Sequence, residues 1–374
     1  VAGGTATGSD GIHTGAASSC GMDERQREFL YELLRTPSPS GFEAAGQRVW
    51  LDYVEPFADA VRTDAYGNAV AVHEGTVEHS VALAGHADEI GLMVREITEE
   101  GFLGLSRIGG SDRTVTRGQH VTVHASGGRV HGVVGQNAIH LREGDEDDVK
   151  EITNQYVDVG AEDGDAAREL VSVGDPITFA TDVESLAGDR LAGRGMDTRP
   201  GVWAAAEGFR RAVEADAEAT VYAVSTVQEE VGLRGAEMVG YDLDPDVFVG
   251  MDVSHATDYP EAPSGKTSPV ELGGGPVLGR GSQNHPGLVE AARTVAADEG
   301  FDVQLVAAGA GGGTDAVKFY TSRGGTPTLD VGLPNRYMHT PVEVIDTRDL
   351  DRVATLMGRL AARLPEFAPF RVEV

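Results

Sequence analysis

The chain of 374 residues contains one cysteine, Cys20. A single thiol forms no intrachain disulfide and builds no cysteine cage for zinc. Lysine is almost as scarce: of 30 basic side chains 27 are Arg, and only Lys150, Lys266 and Lys318 are Lys. No stretch approaches the roughly 20 uninterrupted apolar residues that a membrane span needs. No charged-then-apolar signal segment opens the sequence either, so the expectation is a soluble, cytoplasmic protein. Positive charge is in deficit overall, with 60 acidic side chains giving a formal charge of −30. Such a surface repels a phosphate backbone and argues against a nucleic-acid partner.

Short carboxylates in excess and Arg in place of Lys are what adaptation to molar salt would produce. There the Debye length falls to about 3 Å and self-repulsion is largely screened. That reading concerns habitat and says nothing of chemistry. Hydrophobic residues make up 40% of the chain, enough to bury an ordinary core. At roughly 150 residues per domain, the length suits two or three domains, or one α/β domain with an insertion.

Residues 1–21 are mostly Gly, Ala, Ser and Thr and read as a disordered tail, with Met22 looking like a true start. Apolar positions Phe29, Leu30, Leu33 and Leu34 then fall at helical spacing up to Pro37. Short β-rich runs at Ala69–His73, Val81–Gly85, Val221–Val227, Val247–Val253 and Thr328–Leu333 are separated by helical patterns such as Val202–Val213, Leu288–Ala297 and Asp349–Arg363. Strands alternating with helices predict an α/β fold, a mostly parallel mixed sheet covered by helices on both faces. Over residues 94–180 the texture changes to short strands with Gly and Asp turns, including Gly101–Leu105, His120–His124, Arg129–Val134 and Pro176–Phe179. This reads as a small β-rich domain inserted between residues 22–93 and 181–374, with an acidic loop at Glu143–Lys150.

Potential metal ligands fall where the predicted strands end, and open α/β sheets bind ligands at the carboxyl ends of their strands. One strand runs into His86-Ala87-Asp88, another into Gln228-Glu229-Glu230, a third ends at Asp252, and a fourth leads to His339. Asp197 precedes a helix. The other histidines (His13, His73, His79, His120, His124, His131, His140, His255 and His285) read as ordinary surface or core residues, His255 the least securely. Two histidines and three carboxylates suit a pair of divalent cations such as zinc, cobalt or manganese, with one carboxylate bridging. Of the adjacent pair Glu229 and Glu230, one can bind metal while its neighbour faces the substrate, and Asp88 can orient the His86 ring. The glycines at Gly309–Gly313 are not a phosphate loop, because no GxxxxGK[ST] pattern surrounds them. No G-x-S-x-G elbow marks a serine hydrolase.

The segments GHADEIGLMV (Gly85–Val94), MDTRPGV (Met196–Val202), VQEEVGLRGA (Val227–Ala236), GMDV (Gly250–Val253), GGTDA (Gly312–Ala316) and YMHTPVE (Tyr337–Glu343), with TPSPSGFE (Thr36–Glu43) ahead of them, resemble the tetrahedral or glutamyl aminopeptidases. The resemblance runs in order from near Met22 to the C-terminus. It implies a zinc-peptidase-like fold with Asp197 as bridging carboxylate, one metal on His86 and Asp252, and the other on Glu230 and His339. It also implies Glu229 as general base and later acid, and Asp88 as the partner of His86. Thr198 departs from the family, which often has a carboxylate or amide after the bridging Asp. The inserted domain would be a dimerisation domain, and dimers would assemble into a hollow tetrahedral dodecamer acting on short peptides. The competing readings are a related dinuclear carboxypeptidase or aminoacylase, an endoglucanase, and a non-catalytic assembly protein. The preferred N-terminal residue is not legible, because its pocket is built from loops that the sequence does not place.

Overall fold

The computed structural model describes residues 21–141, 149–263, 265 and 268–374. The tail before Gly21, His13 within it, and most of the acidic loop lie outside the described residues. Eight strands form one mixed sheet in the spatial order Ala60–Thr63, Ala69–His73, Thr220–Thr226, Ser80–His86, Val247–His255, Thr328–Asn335, Val277–Arg280 and Gln304–Ala307. The central four run parallel, with Thr226 opposite His86 and Asp252 opposite Gly332. Their carboxyl ends therefore share one rim.

Alternation assigns the faces. Val81 and Leu83 join Val221, Ala223, Val247 and Val249 on one side of the sheet, while Ala82, Ala84, Val224 and Phe248 point to the other. The first side is covered by helices Glu24–Arg35, Ala44–Val54, Arg199–Glu214, Pro286–Asp298 and Thr347–Ala362. The second carries the shorter helices Arg234–Asp242 and Ala316–Tyr320, where Phe319 stacks on Phe248 with ring centroids 3.8 Å apart. Both tryptophans are buried with their indole N–H groups satisfied: Trp50 donates to the Val202 carbonyl at 2.8 Å and Trp203 to that of Gln26 at 2.9 Å. They pin the first two helices to the central one. That helix also approaches the sheet at backbone distance, since a β-carbon on Gly85 would lie 2.3 Å from the carbonyl carbon of Gly201. The contact brings the preceding turn, with Asp197, against the end of the His86 strand.

Between residues 91 and 179 the chain leaves the sheet and forms a closed barrel. Around it stand strands Gly91–Ile97, Leu103–Ile108, Tyr156–Asp158, Gly128–Val134, His120–Ala125 and Pro176–Phe179. Its core contains Leu92, Val94, Leu105, Val121, Val123 and Ile177. The α-helix Gly164–Leu170 lies in this segment with Asp163 as its N-cap, a feature that so short an apolar period does not announce. The polar edge strand Ala60–Thr63, exposed at every position, likewise lacks an apolar signature. Among the described residues no helix is long and apolar enough to cross a membrane.

Candidate metal centre

Five side chains that are distant in sequence meet at the rim. The Asp197 carboxylate lies between two imidazoles, with Oδ1 3.4 Å from Nε2 of His86 and Oδ2 3.1 Å from Nε2 of His339. Nε2 of His86 is also 3.9 Å from Oδ1 of Asp252, and Nε2 of His339 is 3.6 Å from Oε1 of Glu230. The donors thus fall into two sets, His86 with Asp197 and Asp252, and His339 with Asp197 and Glu230. A third overlapping set joins His86 to Glu229 and Glu230.

The arrangement is held from behind. His86 presents Nε2 to the centre because Nδ1 sits 3.1 Å from the backbone carbonyl of Asp88. The Asp88 carboxylate lies 3.4 Å from the same Nδ1, and it also accepts from Ser40 Oγ at 2.6 Å and from the amides of Glu229 at 3.0 Å and Glu230 at 3.1 Å. It therefore fixes the turn that carries both glutamates. Glu43 accepts from the Gln228 amide at 3.1 Å in the same turn. Glu89 accepts from the Ser38 amide and from Arg194, which is three residues before Asp197. The segment Thr36–Glu43 is thus the backing of the metal centre.

Glu343 is a residue that strand-end reasoning passes over. It is buried, and its two oxygens accept from the amides of Asp197 at 3.1 Å and His339 at 2.8 Å. One carboxylate thereby ties together loops carrying two of the five donors. His339 has φ 64° and Tyr337 φ 62°, while Gln228 (φ 57°) and Leu233 (φ 60°) flank the glutamates. Left-handed backbone at non-glycine residues is costly, and it clusters where function over-determines the chain. The peptide after Asp197 is trans, the one cis bond among the described residues being Ala368–Pro369.

The barrel supplies a wall. A β-carbon on Gly110 would lie 2.4 Å from Nδ1 of His339, and one on Gly109 would lie 3.1 Å from Cβ of Glu230. No other residue type fits at Gly110 without displacing the imidazole.

Electrostatics fit the centre to cations. Burial pushes Glu229 up to about 10, reinforced by Asp252, Asp315 and Glu230 against the opposing pull of His86. Burial likewise lifts Glu230 to about 7 and raises Asp252 well above the carboxylate range, Asp197 adding to both. Asp197 itself is held at about 2, because attraction to the flanking imidazoles of His339 and His86 outweighs its burial. The hydrogen bond to Asp197 lifts His339 to about 9. Nε2 of His86 and Oε1 of Glu230 are buried without a hydrogen-bond partner. Crowded carboxylates and orphaned donor atoms aimed at one space are the complement of divalent cations, and a nitrogen and oxygen donor set suits them.

The geometry defines a candidate centre for divalent cations at the carboxyl rim of an α/β sheet. Residues 67–356 match the family model for M42 glutamyl aminopeptidase. The lysyl aminopeptidase of Pyrococcus furiosus is 34% identical over 348 residues, spanning 91% of this chain and 99% of its own. Among solved structures, a TET aminopeptidase from the marine sediment archaeon Thaumarchaeota archaeon SCGC AB-539-E09 is 32% identical with a TM-score of 0.86, over 91% of this chain and 98% of that one. A Pyrococcus horikoshii TET1 peptidase, described as able to assemble into a tetrahedron or a large octahedral shell, is 31% identical with a TM-score of 0.81, over 90% and 99%. The chain belongs to the M42 glutamyl aminopeptidase family. It is a metal-dependent aminopeptidase.

Proposed function

We propose that the protein removes N-terminal residues from short peptides, with Glu229 moving the proton. The reading rests above all on the two-sided Asp197 carboxylate, which offers one oxygen to each donor set. In it, His86 and Asp252 hold one divalent cation, Glu230 and His339 the other, and Asp197 both. Two such cations, when bound, polarise the scissile carbonyl and lower the pKa of water toward neutrality. Glu229 lies beside both donor sets yet belongs to neither. Its carboxylate accepts the proton of the attacking water and returns it to the departing amine. Asp88 holds the backbone of Glu229 and Glu230 by their amides and so sets the aim of both. Zinc or cobalt, with manganese as a third choice, fits the donors.

The barrel is the proposed dimerisation domain. It exposes Val133, Ile139, Leu141 and Tyr156, apolar side chains suited to a second copy. A homododecamer of dimers, a cytoplasmic location and a molar-salt habitat complete the reading, the last supported by the charge of −30 and the shortage of Lys.

A peptide with a free N-terminus and its N-acetylated counterpart, assayed in high salt before and after chelation, test the activity. Loss of the N-terminal residue from the free peptide alone is expected, abolished by chelator and restored by cobalt or zinc. Equal cleavage of the blocked peptide, or indifference to chelation, would overturn the reading.

A further inference from the structure

The four consecutive amides from Val227 to Glu230 each end on a side-chain oxygen. Those of Glu229 and Glu230 donate to Asp88, at 3.0 and 3.1 Å, and that of Gln228 to Glu43 at 3.1 Å. The first, Val227 N–H, donates to Oδ1 of Asn68 at 2.9 Å. Asn68 is buried and stands just before strand Ala69–His73, whose Ala69 faces Ser225 in antiparallel register. That register carries the Asn68 amide to the end of the strand that delivers the glutamates.

The loop from Val227 to Gly235 closes at the same point. Gly235 N–H donates to the Val227 carbonyl at 2.9 Å, and a β-carbon on Gly235 would lie 2.4 Å from Oδ1 of Asn68. The Asn68 amide therefore sits in the neck of the loop that carries Glu229 and Glu230. Its orientation is imposed from the other side. Nδ2 donates to Oδ2 of Asp64 at 2.6 Å, while Oδ1 of Asp64 accepts from the amides of Tyr66 at 2.8 Å and Asn68 at 3.0 Å. An ionised carboxylate only accepts and a backbone N–H only donates, so one orientation of the Asn68 amide satisfies both. Neither Asp64 nor Asn68 is a donor of the metal centre, and neither lies in the segments that carry the family resemblance.

We propose that Asn68, locked by Asp64, is a positioning residue that sets the aim of Glu229 through the neck of its loop. The assignment depends on Glu229 moving the proton, as read above. Val227 is buried, so its N–H cannot stay where it is without the Asn68 oxygen except at the cost of an unmade hydrogen bond. The neck shifts to relieve that cost. Glu230, a cation ligand in the same reading, is held at its far end, whereas Glu229 belongs to neither of the two sets joined through Asp197 and moves with the loop.

The test is a reciprocal exchange. Asp64→Asn and Asn68→Asp each break at least one of these hydrogen bonds, because donors and acceptors no longer match. The double variant Asp64→Asn/Asn68→Asp re-forms all of them with donor and acceptor traded. Metal content, kcat, KM and amide exchange over residues 227–235 are compared among the wild type, the two single variants and the double, beside Glu229→Gln. Each single variant should keep its metal, lose about 10–100-fold in kcat with a smaller change in KM, and exchange faster over that loop. The double variant should return to within about threefold of wild type, with exchange slowed again. Unchanged kcat in both single variants, a double variant no better than they are, or single variants that lose their metal or their fold overturn the proposal. Undiminished turnover in Glu229→Gln would strike first at the reading of Glu229, and the role of Asn68 would fall with it.

Discussion

Gly110, in the turn after a barrel strand, lies so close to His339 that a β-carbon there would stand 2.4 Å from Nδ1 of the imidazole. Ring and turn cannot both stay in place in a Gly110→Ala variant. The ring is the part that yields, and it carries Nε2 away from Asp197 and Glu230. Affinity at the His339 position should fall by about 10–100-fold while the His86 position keeps its metal. Titration with cobalt, followed by its d–d absorption, should show one tight equivalent in place of two. Two undiminished equivalents would mean that the imidazole relaxes without losing its aim.

Asp197 faces both imidazoles, so its replacement has a different signature. Asp197→Ala should lose both cations together, because each donor set loses its shared oxygen. Elemental analysis after dialysis is the measurement, and retention of two metals per chain would refute the bridging role.

Glu229→Gln should leave metal content near normal, since the side chain is in neither of the two sets joined through Asp197. Turnover should drop by about 10²–10⁴-fold, the usual worth of a positioned general base. Steady-state kcat beside metal analysis separates this outcome from simple loss of the centre.

Far from the rim, buried Glu207 joins three helices: it accepts from Gln26 Nε2 and Tyr53 Oη, and Arg210 donates to it at 2.9 and 3.0 Å. Burial would raise its pKa, but hydrogen bonds from Arg210 and Tyr53 hold it below its ordinary 4.5. A depressed folded pKa gives stability that is present above the unfolded value and lost as pH falls through the folded one. Glu207→Gln should therefore cost about 3–5 kcal/mol at pH 7, the loss expected when a buried charge pair is broken. The gap to wild type should narrow below about pH 4.5. Denaturant melts at pH 7 and pH 3.5 read both, and a gap independent of pH would remove the ionic account.

Much of the architecture is legible in the sequence because central strands carry unbroken apolar runs that stop at polar residues. Val81–Gly85 ends at His86 and Val221–Val227 at Gln228-Glu229-Glu230, and the structure brings His86, Asp197, Glu229, Glu230, Asp252 and His339 to one rim. What is not legible depends on partners remote in the chain. Glu343 acts through two amides on separate loops, and no side-chain pattern records an amide. The Asp88 carboxylate reads as an aid to the His86 ring, beside which it lies, but its second task, holding the glutamate turn by two amides, has no sequence signal. His255, read as ordinary, lines the cavity in front of the metal centre. Gly109 and Gly110 look like any turn until the barrel closes and places them against Glu230 and His339.

All five donor residues lie outside the segment from Gly91 to Phe179, so a chain trimmed of its barrel would keep every donor atom. It would nonetheless be a house with one side open: solvent would flood the imidazole through the gap those two glycines now plug. Anyone shortening this molecule must first re-panel that side.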